Sequence, residues 1–185
     1  MTKRCFIALN LPPKARWQME SLITDLTKLN DDKNIKFVNP RQVHVTLHFL
    51  GNLDGAQIET VKKIISQAVP SCHQAEIMTG QIIAFPDWRQ PHVICLNCRE
   101  AGQKPLAKLR AEISRHLPSA KINIEDTKWQ PHITLARLKG PCRFRADGIG
   151  FSELSILLNQ VDLMSSELTP DGPNYNIIQS YSLAN

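Results

Sequence analysis

Two histidines in this chain share one short context. His44 opens His-Val-Thr-Leu, and eighty-eight residues later His132 opens His-Ile-Thr-Leu. Imidazoles have ordinary pKa values near ~6.5, so near neutrality one ring of a pair can accept a proton while the other donates one. Acid-base catalysis of displacement at phosphorus requires that combination. A neutral imidazole activates water or a hydroxyl and an imidazolium protonates the leaving oxygen, each typically worth ~10² to 10⁴ in rate. Thr46 and Thr134 supply hydroxyls for the non-bridging oxygens, and Arg137 supplies a cation for the charge that develops there. Shuffling this composition yields roughly 0.03 copies of His-x-Thr-Leu, so two copies are not an accident. Either copy alone would more often be a surface or satisfied core histidine beside a strand-favouring threonine.

Both motifs read as strands. Residues i and i+2 of a strand share a face, so His44 and Thr46 lie side by side with Val45 and Leu47 behind them, and His132 and Thr134 lie likewise with Ile133 and Leu135 behind. One face then rests on a core and the other lines a cleft. By the same alternation His48, four residues after His44, shares its face. It ranks below the pair, because alanine occupies the matching position 136. Arg137 stands at an odd separation from His132, so its entry into the cleft requires the strand to end, twist or bulge near Ala136.

The elements that carry these strands also come in pairs. Arg4–Leu11 is a near-continuous apolar run, as in a buried strand, and Pro12 and Pro13 stop it. Leu22, Ile23, Leu26 and Leu29 mark an amphipathic helix over Lys14–Asn30, and a loop leads to the first motif. Ile58, Val61, Ile64, Ile65 and Ala68 mark a second helix, ended at Pro70, and residues 75–84 alternate as a strand. The second half begins with His92–Cys98 as a buried strand, then a helix over Leu106–Leu117, a polar loop (123–131) and the second motif. Ile7 precedes His44 by thirty-seven residues and Cys95 precedes His132 by the same number. Identity between the halves is slight outside the motifs, so a structural duplication is expected, with residues 1–185 forming one domain of two pseudo-symmetric lobes around a shared cleft. Residues 151–166 and 175–183 read as two closing strands that form a hairpin across Leu168–Asn174.

With 185 residues, 42% of them apolar, the chain can bury one sizeable core. Its first residues show neither a secretory signal nor a membrane span, which makes cytoplasm the default. Five cysteines in no framework spacing suit free thiols in a reducing compartment. The net charge of +5 favours an anionic partner without requiring one. Cys95 and Cys98 have the spacing of half a zinc site, but an odd separation on a strand sends the thiols to opposite faces and no second half exists. No carboxylate accompanies either histidine motif as a third ligand, so no metal and no cofactor is expected. Phe85, Trp88 and Trp129 are candidates to stack on a base, with packing at a strand entrance the more frequent role for such residues. Arg143 and Arg145 could follow a nucleic-acid backbone by charge, or simply line a solvated loop.

The sequence resembles the two-histidine phosphoesterase superfamily, in particular its RNA 2′,3′-cyclic phosphodiesterase branch, also called the 2′-5′ RNA ligase family. The likeness rests on Arg4–Pro12 as the opening strand, Val43–Gly51 as the first motif with its trailing Phe-Leu-Gly, and Pro131–Arg137 as the second motif with its trailing arginine. Leu163–Leu168 and the late Tyr-Ser-Leu are similar to the closing hairpin, with Met164 where an aromatic residue is common. The resemblance implies a bilobal α+β fold of two antiparallel sheets with flanking helices. It also implies hydrolysis of a terminal 2′,3′-cyclic phosphate on RNA or a nucleotide to a 2′-phosphomonoester; a monomer is expected. It gives His44 the role of proton donor, His132 that of acceptor, Thr46 and Thr134 those of phosphate-binding hydroxyls and Arg137 that of the phosphate-contacting cation. The residues themselves identify the pair and its chemistry but not which member donates. Action on 2′-5′-linked RNA, or RNA binding without turnover, are the alternatives.

Overall fold

Strands dominate the architecture. A computed structural model describes residues 1–122, 124, 129–169 and 172–185. In these residues the order is β1 (Lys3–Asn10), α1 (Pro13–Leu29), β2 (Ile35–Phe37), β3 (His44–Leu53), α2 (Gly55–Ala68), β4 (Ala75–Phe85), β5 (Val93–Glu100), α3 (Pro105–His116), β6 (His132–Leu138), β7 (Ser155–Leu158), β8 (Gln160–Thr169) and β9 (Gly172–Ser182). Among them no helix is long and apolar enough to cross a membrane. Most of the polar loop expected at 123–131, and the tip of the closing hairpin at 170–171, lie outside the described residues.

The helices begin where local chemistry favours it. Pro13 opens α1, since its fixed φ suits a first turn and its missing N–H is not needed there. Asp54 and Gln57 form a reciprocal capping box on α2. At α3 the Glu100 carboxylate accepts hydrogen bonds from the backbone N–H groups of Leu106 and Ala107, which satisfies two of the helix's unpaired donors. Each helix turns one apolar stripe inward: Ala15, Met19, Leu22, Ile23 and Leu26 on α1, Val61, Ile64, Ile65 and Ala68 on α2, Leu106, Leu109 and Ile113 on α3. All join one core with Ile7, Leu9, Val45, Leu47, Ile94, Leu96, Ile133 and Leu135 from the strands.

The strand order is β7-β4-β5-β6-β3-β1-β8-β9, with β2 paired on β6, and every pairing is antiparallel. It is symmetric about its middle. β1 lies between β8 and β3 as β5 lies between β4 and β6, and among the described strands the two wings are joined in the sheet order where Val45 of β3 pairs with Ile133 of β6. The two expected sheets are therefore joined edge to edge at the motifs themselves. Residues 151–166, expected as one strand, are divided: β7 ends at Leu158 on the edge of β4, and β8 begins at Gln160 beside β1. Only Asn159 separates strands that belong to opposite wings, so the sheet curls until its ends approach each other. The loop expected before the first motif also contains a strand, the three residues of β2.

Candidate active site

The antiparallel register set by Val45 and Ile133 puts His44 opposite Thr134 and Thr46 opposite His132. The four residues expected to act together are thus neighbours across one seam, with their apolar partners buried behind it. Each imidazole is held in the same way. His44 Nδ1 lies 2.7 Å from the carbonyl of Gln42 and His132 Nδ1 lies 2.8 Å from the carbonyl of Gln130, in both cases two residues upstream. A carbonyl only accepts, so Nδ1 carries the hydrogen and Nε2 is left for chemistry. Cys95, buried on the neighbouring strand, donates its thiol hydrogen to Thr134 Oγ1 at 3.8 Å, which leaves the threonine's own hydrogen to point elsewhere. Burial pushes the Cys95 thiol up to about 11, so it stays neutral.

Arg137 reaches this face through a bulge. Ile94 pairs with Ala136 while the next residue, Cys95, pairs with Thr134, so Leu135 is an extra residue in β6. The extra residue reverses the alternation: Leu135 and Ala136 are both buried and Arg137 is exposed. The first motif contains the same device. Ile7 pairs with His48 while Ala8 pairs with Thr46, and Leu47 is the extra residue of β3. His48 is thereby turned away from the cleft, which corrects the expectation that it shares the face of His44. It is 3% exposed, its Nε2 donates to the carbonyl of Arg110 on α3 at 3.0 Å, and Ser114 Oγ lies 3.2 Å away. Desolvation in this setting lowers its pKa to about 4. Each bulge is pinned from the other half of the chain. The Leu47 carbonyl accepts from Arg110 Nε of α3, and the Leu135 carbonyl accepts from the Val38 N–H just after β2.

The reversal that hides His48 exposes Phe49. It stands five residues after His44, as Arg137 stands five after His132, and it is 64% exposed. Phe6 connects it to the site: the Phe6 ring lies 6.4 Å from Phe49, 5.2 Å from His44 and 5.1 Å from Tyr175, and Tyr175 meets His44 edge-on at 5.3 Å. Phe6, Ala8 and Met164 form a small buried cluster under Tyr175, apart from the main core. Gly51 closes the motif at φ +72°, a left-handed conformation that explains why glycine follows Phe-Leu there. Phe49, Phe6 and Tyr175 escaped the sequence reading. The matching odd separation of Phe49 and Arg137 was the available signal for the first of them.

Other candidates separate clearly. Phe85 lies 5.3 Å from the His132 ring. Trp129 is structural: its Nε1 donates to the carbonyl of Thr46 at 3.0 Å and so ties the approach to one motif onto the strand of the other. Trp88 packs beside Phe144, which in turn packs on Phe37. Arg145 is anchored by its backbone, whose N–H and carbonyl both bond the Asn30 side chain at the end of α1, and the Arg143 and Arg145 side chains are exposed on either side of buried Phe144. Burial first, then the charges of Arg137 and His132, lower the pKa of His44, while its bond to Gln42 works in the other direction. All five cysteines are free thiols. Among the described residues no cluster of three or more His, Cys, Asp or Glu side chains could hold a metal ion.

Known proteins are similar to this chain in sequence and in fold. A family model described as the 2′-5′ RNA ligase superfamily matches residues 12–146. A protein of Aquifex aeolicus named RNA 2′,3′-cyclic phosphodiesterase is 30% identical over 158 residues, covering 80% of this chain and 81% of its own. One of the same name from Thermus thermophilus is 30% identical over 190 residues, covering 97% and 90%. Among solved structures, TT0787 of Thermus thermophilus superposes with a TM-score of 0.77 at 27% identity over 97% of both chains. E. coli LigT complexed with 3′-AMP superposes with a TM-score of 0.77 at 17% identity over the whole of both chains, a likeness of fold.

Proposed function

This chain belongs to the 2′-5′ RNA ligase superfamily, and from that premise we propose that it hydrolyses terminal 2′,3′-cyclic phosphates on RNA or nucleotides, leaving a 2′-phosphomonoester. The observation that carries the reading is the matched pair of Nδ1 bonds, which leaves both Nε2 atoms available for proton transfer on strands whose register sets Thr46 and Thr134 beside them. His132 Nε2 takes a proton from water as the water oxygen attacks phosphorus. The bond from phosphorus to the 3′ oxygen breaks on the opposite side, and His44 Nε2 gives its proton to that oxygen. Arg137, Thr46 and Thr134 hold the non-bridging oxygens as charge builds on them. No step needs a metal. The roles of His44 and His132 exchange in the reverse, ligating direction.

His44 is held low in the free protein, and a donor must be protonated. The substrate resolves this, because a cyclic phosphate diester brings one negative charge against both His44 and Arg137. It offsets the repulsion from the arginine and favours imidazolium at His44. At the far end of the motif strand Phe49 offers an exposed face on which the base of the terminal nucleotide stacks. The site is shared by two lobes of a single domain, acting as a monomer. Five free cysteines support a reducing, cytoplasmic setting.

The test is incubation of an oligonucleotide ending in a 2′,3′-cyclic phosphate with the protein and a chelator, followed by identification of the product end. The expected product carries a 2′-phosphate. A 3′-phosphate would reverse the assignment of the broken bond. Absence of turnover together with cleavage of a 2′-5′-linked oligonucleotide would move the activity to that substrate. Binding without turnover of either would leave an RNA-binding module.

A further inference from the structure

Beyond Arg137 the cleft continues into a groove of about 860 Å³ between α1, the segment from β2 to the first motif, and the start of β9. Three of its lining residues also belong to the surroundings of the histidines. Arg137 acts electrostatically on His44, the Gln42 carbonyl holds His44 Nδ1, and Tyr175 meets the His44 ring. The groove is therefore an extension of the site. It also lies at a defined end of it: Asn39, Pro40 and Gln42, which line it, precede His44 in the chain, whereas Phe49 lies beyond Thr46 at the other end of the motif strand.

Its chemistry suits an anion with an organic body. The charged residues lining it are Lys28, Lys36 and Arg137 against a single carboxylate, Glu20. Lys28 is engaged by Asp25 at 2.9 Å on the surface of α1. Among the described residues no carboxylate pairs with Lys36 or Arg137. Lys36 pairs directly with Arg137 across β2 and β6, and residues opposed in an antiparallel pair project to the same face. Two cations thus stand in a row leading away from the histidines, with Ile23, Phe37 and Val38 as apolar wall and Asn39 and Asn174 as amides beside them. A volume of this size holds far more than one phosphate group and lies in the range of sites for whole organic ligands.

We propose that this groove binds the nucleotide immediately upstream of the cyclic end, with Lys36 contacting the phosphodiester that joins the two, so that the protein selects RNA ends over cyclic mononucleotides. This rests on the function proposed above. Phosphate contacts by lysine position a strand without reading its bases, so the selection is for length and not for sequence. It is also screened by salt, because each phosphate contact releases bound counterions.

The experiment compares kcat/KM for a nucleoside 2′,3′-cyclic phosphate and for a dinucleotide ending in the same group, for wild type, Lys36→Ala and Lys36→Arg, over a range of salt concentrations. The expected result is an advantage of about tenfold or more for the dinucleotide, as one charge-assisted contact and the accompanying packing supply. In Lys36→Ala that ratio falls towards one and the salt slope for the dinucleotide shrinks by about one contact, whereas Lys36→Arg keeps both. Equal kcat/KM for the two substrates in wild type would overturn the inference while leaving the proposed function standing. So would an equal loss on both substrates in Lys36→Ala, which would place the terminal nucleotide itself in the groove. Failure of wild type to turn over either substrate would overturn the proposed function and this inference with it.

Discussion

Acidification should unfold this protein partly through His48. The folded state holds this imidazole at about 4, because it is buried behind the first motif with its Nε2 on the Arg110 carbonyl, whereas in the unfolded chain it returns to ~6.5. The unfolded state therefore takes up the proton first as pH falls, and stability is lost from about pH 6.5 down to about pH 4. Linkage over that interval gives a loss of about 2 kcal/mol between pH 7 and pH 5, and about 3 kcal/mol once pH lies below both values. The comparison variant is His48→Gln, whose amide keeps a donor near the Arg110 carbonyl but does not titrate. Urea unfolding of both proteins at pH 7 and pH 5 isolates the histidine, since every other group, His44 included, contributes to both. Wild type should lose about 2 kcal/mol more than the variant. Equal losses would mean that His48 titrates like a solvated imidazole, and the bulge that turns it into the core would be wrong.

Three further outcomes follow from the site. Arg137→Ala should cost about 10² to 10³ in kcat with little effect on unfolding, and Arg137→Lys should recover only part of it, because an ammonium lacks the planar fork of the guanidinium. Phe49→Ala should raise KM about tenfold and leave kcat nearly unchanged, as expected when a stacking face is lost from ground and transition states alike; a change confined to kcat would refute that role. The pH profiles should be bell-shaped, with the high-pH limb of kcat above that of kcat/KM, since bound phosphate raises the donor's affinity for its proton. Coincident limbs, or a profile flat from pH 5 to 9, would contradict the proton-transfer scheme.

The paired motifs were legible because their meaning is local. His44 with Thr46 and His132 with Thr134 need only a strand's alternation to share a face, and the helices α1, α2 and α3 showed themselves by apolar spacing. What escaped was whatever depends on a partner strand. A bulge is one extra residue relative to the neighbour, so Leu47 and Leu135 look regular in the chain, and only pairing with β1 and β5 shows the reversal. The odd separation of Arg137 from His132 demanded an irregularity in the second motif, but no residue of the first motif made the same demand. The bulge there moves His48 into the core and turns Phe49 out to the exposed face beside Phe6. The division at Asn159 was hidden for a similar reason: residues 155–169 are continuously strand-like, and the exchange of wings is decided by where the curled sheet closes. β2 is too short for periodicity, yet it carries Lys36 and leads directly to the Val38 N–H that bonds beside the second bulge.

The central claim is that two geometrically equivalent imidazoles divide the work, His44 as acid and His132 as base. The most direct test replaces the 3′-bridging oxygen of the cyclic phosphate with sulfur, which departs as a thiolate without needing a proton. His44→Ala and His132→Ala should each lose about 10² to 10⁴ on the oxygen substrate. On the sulfur substrate His44→Ala should return close to wild-type rate while His132→Ala stays impaired. Equal defects of the two variants on both substrates would contradict the division of roles, and rescue of His132→Ala instead would reverse it.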